Sequence, residues 1–333
     1  MDDECRSYTT MSPAMSAWES TIVVTGGNMG LGFEAARIIA RERPQSLVII
    51  SSRSSGEEAA RAINKETGHD NVVYLRLDLG DLHSVRNFAQ DLHKRPKLDA
   101  LVMNAGLQVL DLSYTKDGLE TTFGVNHVGH ALLFHALQDH LSDDARVVIT
   151  SSGTHDPAQK TGLPDAEYVT AELLAHPDQA AQKNDGRQRY ATSKLCNVLW
   201  MYALERRRKS AGRSFSVCAM DPGLMPGTGL AREASPVLRF IWHSIMPRML
   251  PFMRMVLGTQ NIHTPLESGT ALARLAICPD AEKSNSGKYF EGLHAIESSK
   301  DSYNETKQDD LWNWTAEYLG RDEAEVEGYK QLS

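Results

Sequence analysis

The chain has 333 residues, 41% of them hydrophobic, and a net charge of −8. That apolar content can bury the core of one large α/β domain and excludes a largely disordered chain. A nucleic-acid groove needs a basic stripe, which this acidic composition does not supply. The four cysteines, Cys5, Cys196, Cys218 and Cys278, form no CxxC pair, so free thiols of a reducing compartment fit better than disulfides or zinc.

Residues 1–18 are polar and acidic. They read as a flexible N-terminal segment without the apolar core of a signal peptide or anchor, and the expectation is a cytoplasmic protein. Strand-like and helix-like patterns then alternate. STIVVT (20–25) is a short apolar run stopped by glycines, EAARIIARER (34–43) has helical spacing, and LVIISS (47–52) is a second strand. GEEAARAINKETG (56–68) reads as a helix ended by glycine, NVVYLRLDL (71–79) as a strand, LHSVRNFAQDLHKR (82–95) as a helix and LDALVMNAG (98–106) as a strand. A long helix over roughly 117–140, the strand RVVITSS (146–152), the helix holding Tyr190 and the strand FSVCAMDPG (215–223) follow.

Apolar strands alternating with helices predict a parallel sheet covered on both faces, and crossover handedness makes it a doubly wound Rossmann-type α/β fold. One domain is expected over 19–320, with a polar insertion at about 156–187, an apolar lid at about 225–265 and a C-terminal tail at 321–333. The segment 237–257 is long enough to span a bilayer but holds Arg239, Arg248 and Arg254. Arginine at mid-bilayer costs roughly 2.5–3.5 kcal/mol, so a lid, or shallow contact with a membrane surface, is expected instead of a transmembrane span.

TGGNMGLG (25–32) follows the first strand and opens the first helix. Glycines there let the backbone turn tightly and approach a pyrophosphate at a helix N-terminus; by itself such a run is equally a plain tight turn. Twenty residues past Gly32, where an acidic residue would bind the ribose 2′-hydroxyl of NAD, stand Ser52 and Arg53. An arginine can pair with a 2′-phosphate, so NADP(H) is the expected cofactor, the alternative being a solvent-exposed loop arginine. Tyr190 and Lys194 lie one helical turn apart, an arrangement that an ordinary amphipathic helix also produces. His127, His130, His135 and His140 share the long helix without a completing carboxylate or cysteine, and read as packing residues, not metal ligands.

TGxxxGxG, Asp78 of LRLDL, NAG (104–106), VNHVGH, TSS (150–152), YATSK (190–194) and DPG (221–223) occur in one order, and in that order the chain resembles the short-chain dehydrogenase/reductase family over nearly its whole length. The resemblance implies cofactor contacts from Thr25, Gly26, Asn28, Gly30, Leu31, Gly32, Ser52, Arg53, Asp78, Leu79, Asn104, Ala105, Gly106, Pro222, Gly223 and Thr228, with Asp78 at adenine and Asn104 supporting the central strands. It also implies a tetrad of Asn126, Ser152, Tyr190 and Lys194, the last two touching the cofactor as well. A free tyrosine has a pKa of about 10; a neighbouring ammonium and an oxidised nicotinamide favour the phenolate and would lower it. Ser152, with Ser151 its rival, would hydrogen-bond the substrate oxygen, and Asn126 would hold a water linking Lys194 to solvent.

VNHVGH and SKLCNVLW look more like retinol dehydrogenases and light-dependent protochlorophyllide reductases, whose substrates are large and apolar. A lid with Phe240, Trp242 and Phe252 suits such a ligand. Leu224 stands where the light-driven enzymes have a cysteine after the PG, and Cys196, two residues past Lys194, should point away from the chemistry. Gly227 replaces the usual Thr or Ser, with Thr228 one position later. The 38 residues from Ser152 to Tyr190 favour a monomer over a homodimer. The pattern also looks like tailoring reductases of fungal secondary metabolism. The expectation is an NADP(H)-dependent interconversion of ketone or aldehyde and alcohol on a bulky lipophilic small molecule; C=C reduction and a non-catalytic dinucleotide sensor are the alternatives.

Overall fold

Ile22, Val23 and Val24 of β1 (Ser20–Thr25) are at most 1% exposed, because helices cover both faces of the strand. Burial on both sides turns the usual alternation of a strand into a continuous apolar run, and β2 (Ser46–Ser52), β4 (Leu98–Met103) and β6 (Ser216–Asp221) share it. With β3 (Val72–Arg76), β5 (Leu141–Thr150), β7 (Lys288–Glu291) and β8 (His294–Ile296) they form one sheet of order β3-β2-β1-β4-β5-β6-β7-β8. All neighbours are parallel except β7 and β8. The computed structural model describes residues 18–226, 244, 246–259, 261–278 and 285–332.

The helices are α1 (Gly30–Glu42), α2 (Gly56–Thr67), α3 (Leu82–Leu92), a composite α4, the short α5 (Ala171–Ala175), the long α6 (Gly186–Ser210), α7 (Leu250–Leu257), α8 (Pro265–Ile277), α9 (Glu305–Leu319) and α10 (Glu323–Gln331). α1, α2 and α8 pack on one face of the sheet. α3, α4, α6, α9 and α10 pack on the other. The strand order reverses between β1 and β4, and in open α/β sheets the crevice at such a switch point takes the ligand.

Two stretches differ from the sequence expectation. The long helix starts at Thr121, not 117, because Gly118 turns at φ +82° and the Glu120 carboxylate accepts the N–H groups of Thr122 and Phe123. It then runs as a turn (Thr121–Phe123), a π-turn (Gly124–Val128) and an α-helix (Gly129–Leu137), together α4. Within the stretch expected as a tail, 321–333, residues Glu323–Gln331 form α10: Asp322 caps it, Tyr329 stacks on His135 at 4.5 Å, and Leu332 is buried. Its apolar residues sit at spacings too sparse for a periodicity, and only the docking on α9 reveals them.

The insertion 156–187 is anchored, with the Tyr168 hydroxyl donating to Asp310 Oδ2 at 2.6 Å and Ala171 and Ala175 buried. Of the expected lid, Phe240 and Trp242 lie outside the described residues, and Phe252 on α7 is exposed. Among the described residues no helix is long and apolar enough to cross a membrane.

Candidate active site

At the end of β1 the chain turns through Gly26 (φ +67°) and Gly30 (φ +54°), conformations that favour glycine. A Cβ on Gly32 would fall 2.3 Å from the Gly26 carbonyl and 2.6 Å from Asn104 Nδ2. No side chain caps α1, so its first N–H groups face the crevice, where they and the helix dipole suit an anion. Asn104 Nδ2 donates to the Thr25 carbonyl at 2.9 Å and Thr150 Oγ1 donates to Asn104 Oδ1 at 3.4 Å, which ties the ends of β1, β4 and β5 together.

A cleft of about 400 Å³ opens over these strand ends. Thr25, Gly26, Asn28, Gly30, Leu31, Gly32, Ser52, Arg53, Asp78, Leu79, Asn104, Ala105, Gly106, Pro222 and Gly223 all line it, with Ser152, Tyr190 and Lys194. Thr228 lies outside the described residues. Met29, Leu107, Val125, Thr150 and Met225 also line the cleft and carry no sequence signal beyond standing next to residues that do. Arg53 is exposed at the end of β2. Asp78 Oδ1 accepts the Gly80 N–H at 3.0 Å, fixing the turn after β3.

Asp185 caps α6 by accepting the Arg187 N–H at 2.7 Å, and the helix delivers Tyr190 and Lys194 to the cleft. Lys194 Nζ lies 5.5 Å from the Tyr190 ring centroid and donates to the Thr150 carbonyl at 3.1 Å. Ser152 Oγ accepts the Thr154 N–H at 3.3 Å and lines the cleft with Tyr190. Ser151 Oγ donates instead to the Lys194 carbonyl at 2.9 Å, so geometry separates the two serines. Asn126 does not line the cleft: Nδ2 donates to the Leu107 carbonyl at 2.9 Å and to Ser193 Oγ at 3.0 Å, and Oδ1 accepts the Leu107 N–H at 2.8 Å. Its side chain pins the Leu107 loop, and its carbonyl, in the widened π-turn, accepts from His130 Nδ1 at 3.3 Å.

Burial holds the Tyr190 phenol above its ordinary pKa, the Asp221 carboxylate adds to this, and the nearby Ser152 hydroxyl opposes it. The lowering expected from Lys194 and an oxidised nicotinamide therefore works against desolvation. Burial also pushes Lys194 down to about 8, against the opposing pull of Asp221. His127 and His135 are held down at about 3 and His130 at about 4, burial being the main cause. His130 Nδ1 donates to the Asn126 carbonyl at 3.3 Å, leaving Nε2 to accept from Thr25 Oγ1 at 2.9 Å. These are neutral struts, and no His/Cys/Asp/Glu cluster among the described residues could hold a metal. Cys196 packs in the core, away from the cleft, with its thiol raised by burial.

A glycine cradle against an uncapped helix, a ribose-side arginine and a tyrosine–lysine pair fit a nicotinamide dinucleotide, and they define an oxidoreductase of the Rossmann class. Residues 20–162 match the family described as short chain dehydrogenase, and residues 231–326 match the AcuH dehydrogenase domain. Retinol dehydrogenase 12 of Mus musculus is 31% identical, over 90% of this chain and 86% of its own. Polyprenol dehydrogenase of Homo sapiens is 30% identical, over 90% of this chain and 84% of its own. A short chain dehydrogenase from Burkholderia cenocepacia J2315, solved in complex with NADP, superposes with a TM-score of 0.59 at 21% identity, covering 82% of this chain and 96% of that one. The chain belongs to the short-chain dehydrogenase/reductase family, in the branch of the retinol dehydrogenases.

Proposed function

We propose that the protein is an NADP(H)-dependent oxidoreductase that interconverts a ketone or aldehyde with an alcohol on a bulky lipophilic small molecule. The observation that carries the reading is the convergence of Ser152, Tyr190 and Lys194 on one cleft with the glycine loop. Bound NADPH would supply the hydride to the carbonyl carbon. Ser152 holds the substrate oxygen as charge develops there. Tyr190 donates its proton to that oxygen, and Lys194 steadies the phenolate left behind. Arg53, exposed at the end of β2 with no acidic partner among the described residues, supports the choice of NADP(H). Retinol and polyprenol, the alcohols in the relatives' names, are apolar isoprenoid alcohols, which supports a lipophilic substrate.

The test incubates the protein with NADPH and an extract of its own organism and follows metabolites by mass spectrometry. The expected result is a carbonyl compound that gains a pair of hydrogens only when NADPH is present. Cofactor binding without any such product would overturn the enzyme reading.

A further inference from the structure

His155 is 1% exposed and ends the short turn Gly153–His155 that follows β5. Its Nδ1 donates to the Ser152 carbonyl at 2.7 Å, and its Nε2 accepts the Ser299 N–H at 3.1 Å. The partners assign the ring. A carbonyl oxygen only accepts and a backbone N–H only donates, so Nδ1 carries the proton and Nε2 is bare. An imidazolium would lose the second bond, because both of its nitrogens donate. Burial also holds the imidazole below its ordinary pKa, against the pull of the Ser152 carbonyl and of the Asp156 and Asp221 carboxylates.

Both sides of the ring are held. The Ser299 carbonyl accepts Ser302 Oγ at 2.6 Å, and the Ser302 carbonyl accepts Nε2 of Gln308, on α9, at 2.8 Å. The Tyr289 ring of β7 packs on the imidazole with centroids 4.8 Å apart. His155 thus joins the backbone of Ser152 to a segment 144 positions further along the chain. Inside the turn, the Thr154 N–H donates to Ser152 Oγ at 3.3 Å. A hydroxyl that accepts from an amide keeps its own proton to donate elsewhere, and Ser152 lines the cleft.

We propose that His155 is a positioning residue: its neutral ring clamps the 152–155 turn to the segment before α9, so that Ser152 meets a substrate oxygen as a preset hydrogen-bond donor. The clamp stands on the contacts of the ring, and its consequence for turnover rests on the role proposed for Ser152. Donors aimed at a developing charge act through preorganisation, and a displacement of about 1 Å can cost about a hundredfold.

Two variants each keep one of the two bonds. The shorter amide of His155→Asn can place its nitrogen where Nδ1 stands, and the longer amide of His155→Gln can place its oxygen where Nε2 stands. NADPH-dependent reduction of para-nitrobenzaldehyde is followed by loss of NADPH absorbance, with urea midpoints measured alongside. His155→Gln is expected to lose about tenfold to a hundredfold in kcat with KM within about threefold, the mark of an interaction made in the transition state. His155→Asn should regain kcat to within about threefold of wild type without being the more stable variant, each having lost one buried bond. A merely structural histidine would give losses that follow the midpoints, whichever bond remains. A second measurement needs no turnover: the ring-nitrogen NMR shifts of histidine-labelled wild type at neutral pH should show the Nδ1–H tautomer, the signal being assigned by its absence from either variant. The proposal is overturned if His155 is the Nε2–H tautomer or an imidazolium, if His155→Gln keeps wild-type kcat, or if the two variants lose kcat alike. A wild type with the Nδ1–H tautomer and no turnover of the aldehyde would count against the carbonyl-reducing function alone, because the clamp is read without catalysis.

Discussion

The wall of the cleft formed by the ends of β1, β2 and β4 is made of backbone, whereas the wall formed by α6 and β6 is made of buried side chains. On the first wall, Gly26 and Gly30 take positive φ and Gly32 leaves no room for a Cβ, so the binding surface is a row of N–H groups set by steric fit. On the second, Tyr190 and Lys194 are at most 8% exposed, and their protonation follows chiefly from desolvation. A wall of backbone fails when atoms are added. A wall of buried side chains fails when a proton or a charge is removed, even if no atom moves.

The largest expected effect lies on the side-chain wall: Tyr190→Phe should lower turnover by about two to four decades while leaving cofactor affinity within a few-fold, measured by steady-state kinetics and by quenching of intrinsic fluorescence. Truncation after Gly320 should destabilise the fold by about 3–5 kcal/mol, the scale of deleting a buried aromatic, because it strips Tyr329 from His135 and Leu332 from the core; an unchanged urea midpoint would refute this. On the backbone wall, Gly32→Ala should weaken dinucleotide binding at least about tenfold, because its Cβ collides with the carbonyl of Gly26. If affinity survives, the glycine loop is not the pyrophosphate site.

Arg53→Ala should cost NADPH about tenfold to a hundredfold in kcat/KM and leave NADH nearly untouched, the worth of a hydrogen bond to a charged group being about 1.5–3 kcal/mol. Equal losses with both cofactors would remove the 2′-phosphate argument. The smallest effect concerns Lys194, whose folded value of about 8 lies below its ordinary 10.5. Between these two pH values the unfolded chain binds a proton that the folded one does not, so this group makes stability rise with pH there. Below about 8 both states hold the proton and the cost of burying the ammonium is fully present. Denaturation midpoints of wild type minus Lys194→Met, followed across that window without cofactor, should show the rise.

Much of the fold up to Asp221 is legible in the sequence because its signals are local. The apolar run 20–25 is β1 residue for residue, and Gly68 ends α2 where the sequence puts a stop. The residues that line the glycine side of the cleft are legible for the same reason, standing just past the end of a strand or in the first turn of α1. What escapes has non-local causes. Glu120 resets the start of α4 by capping it from the loop before, and the π-turn around Asn126 has no compositional mark. α8 does carry a local signature, the Thr264–Glu267 capping box with Pro265 in its first turn, but α9, α10, β7 and β8 have none as clear, since short or polar segments declare themselves only by what they pack on. The preference for Ser152 over Ser151 comes from resemblance alone at the level of sequence. The difference between them is spatial: the Ser152 hydroxyl accepts the Thr154 N–H, whereas the Ser151 hydroxyl is taken up by the Lys194 carbonyl.

The sequence alone determined the class of fold, the glycine loop and the pairing of Tyr190 with Lys194, because strand periodicity, positive-φ turns and helical spacing are written within a few neighbouring residues. Only the tertiary structure decided the electrostatics of the site. It buried Tyr190 and Lys194 and turned the Asn126 side chain toward Leu107. A proton's affinity depends on the water removed and the charges gathered around it, and both are properties of packing.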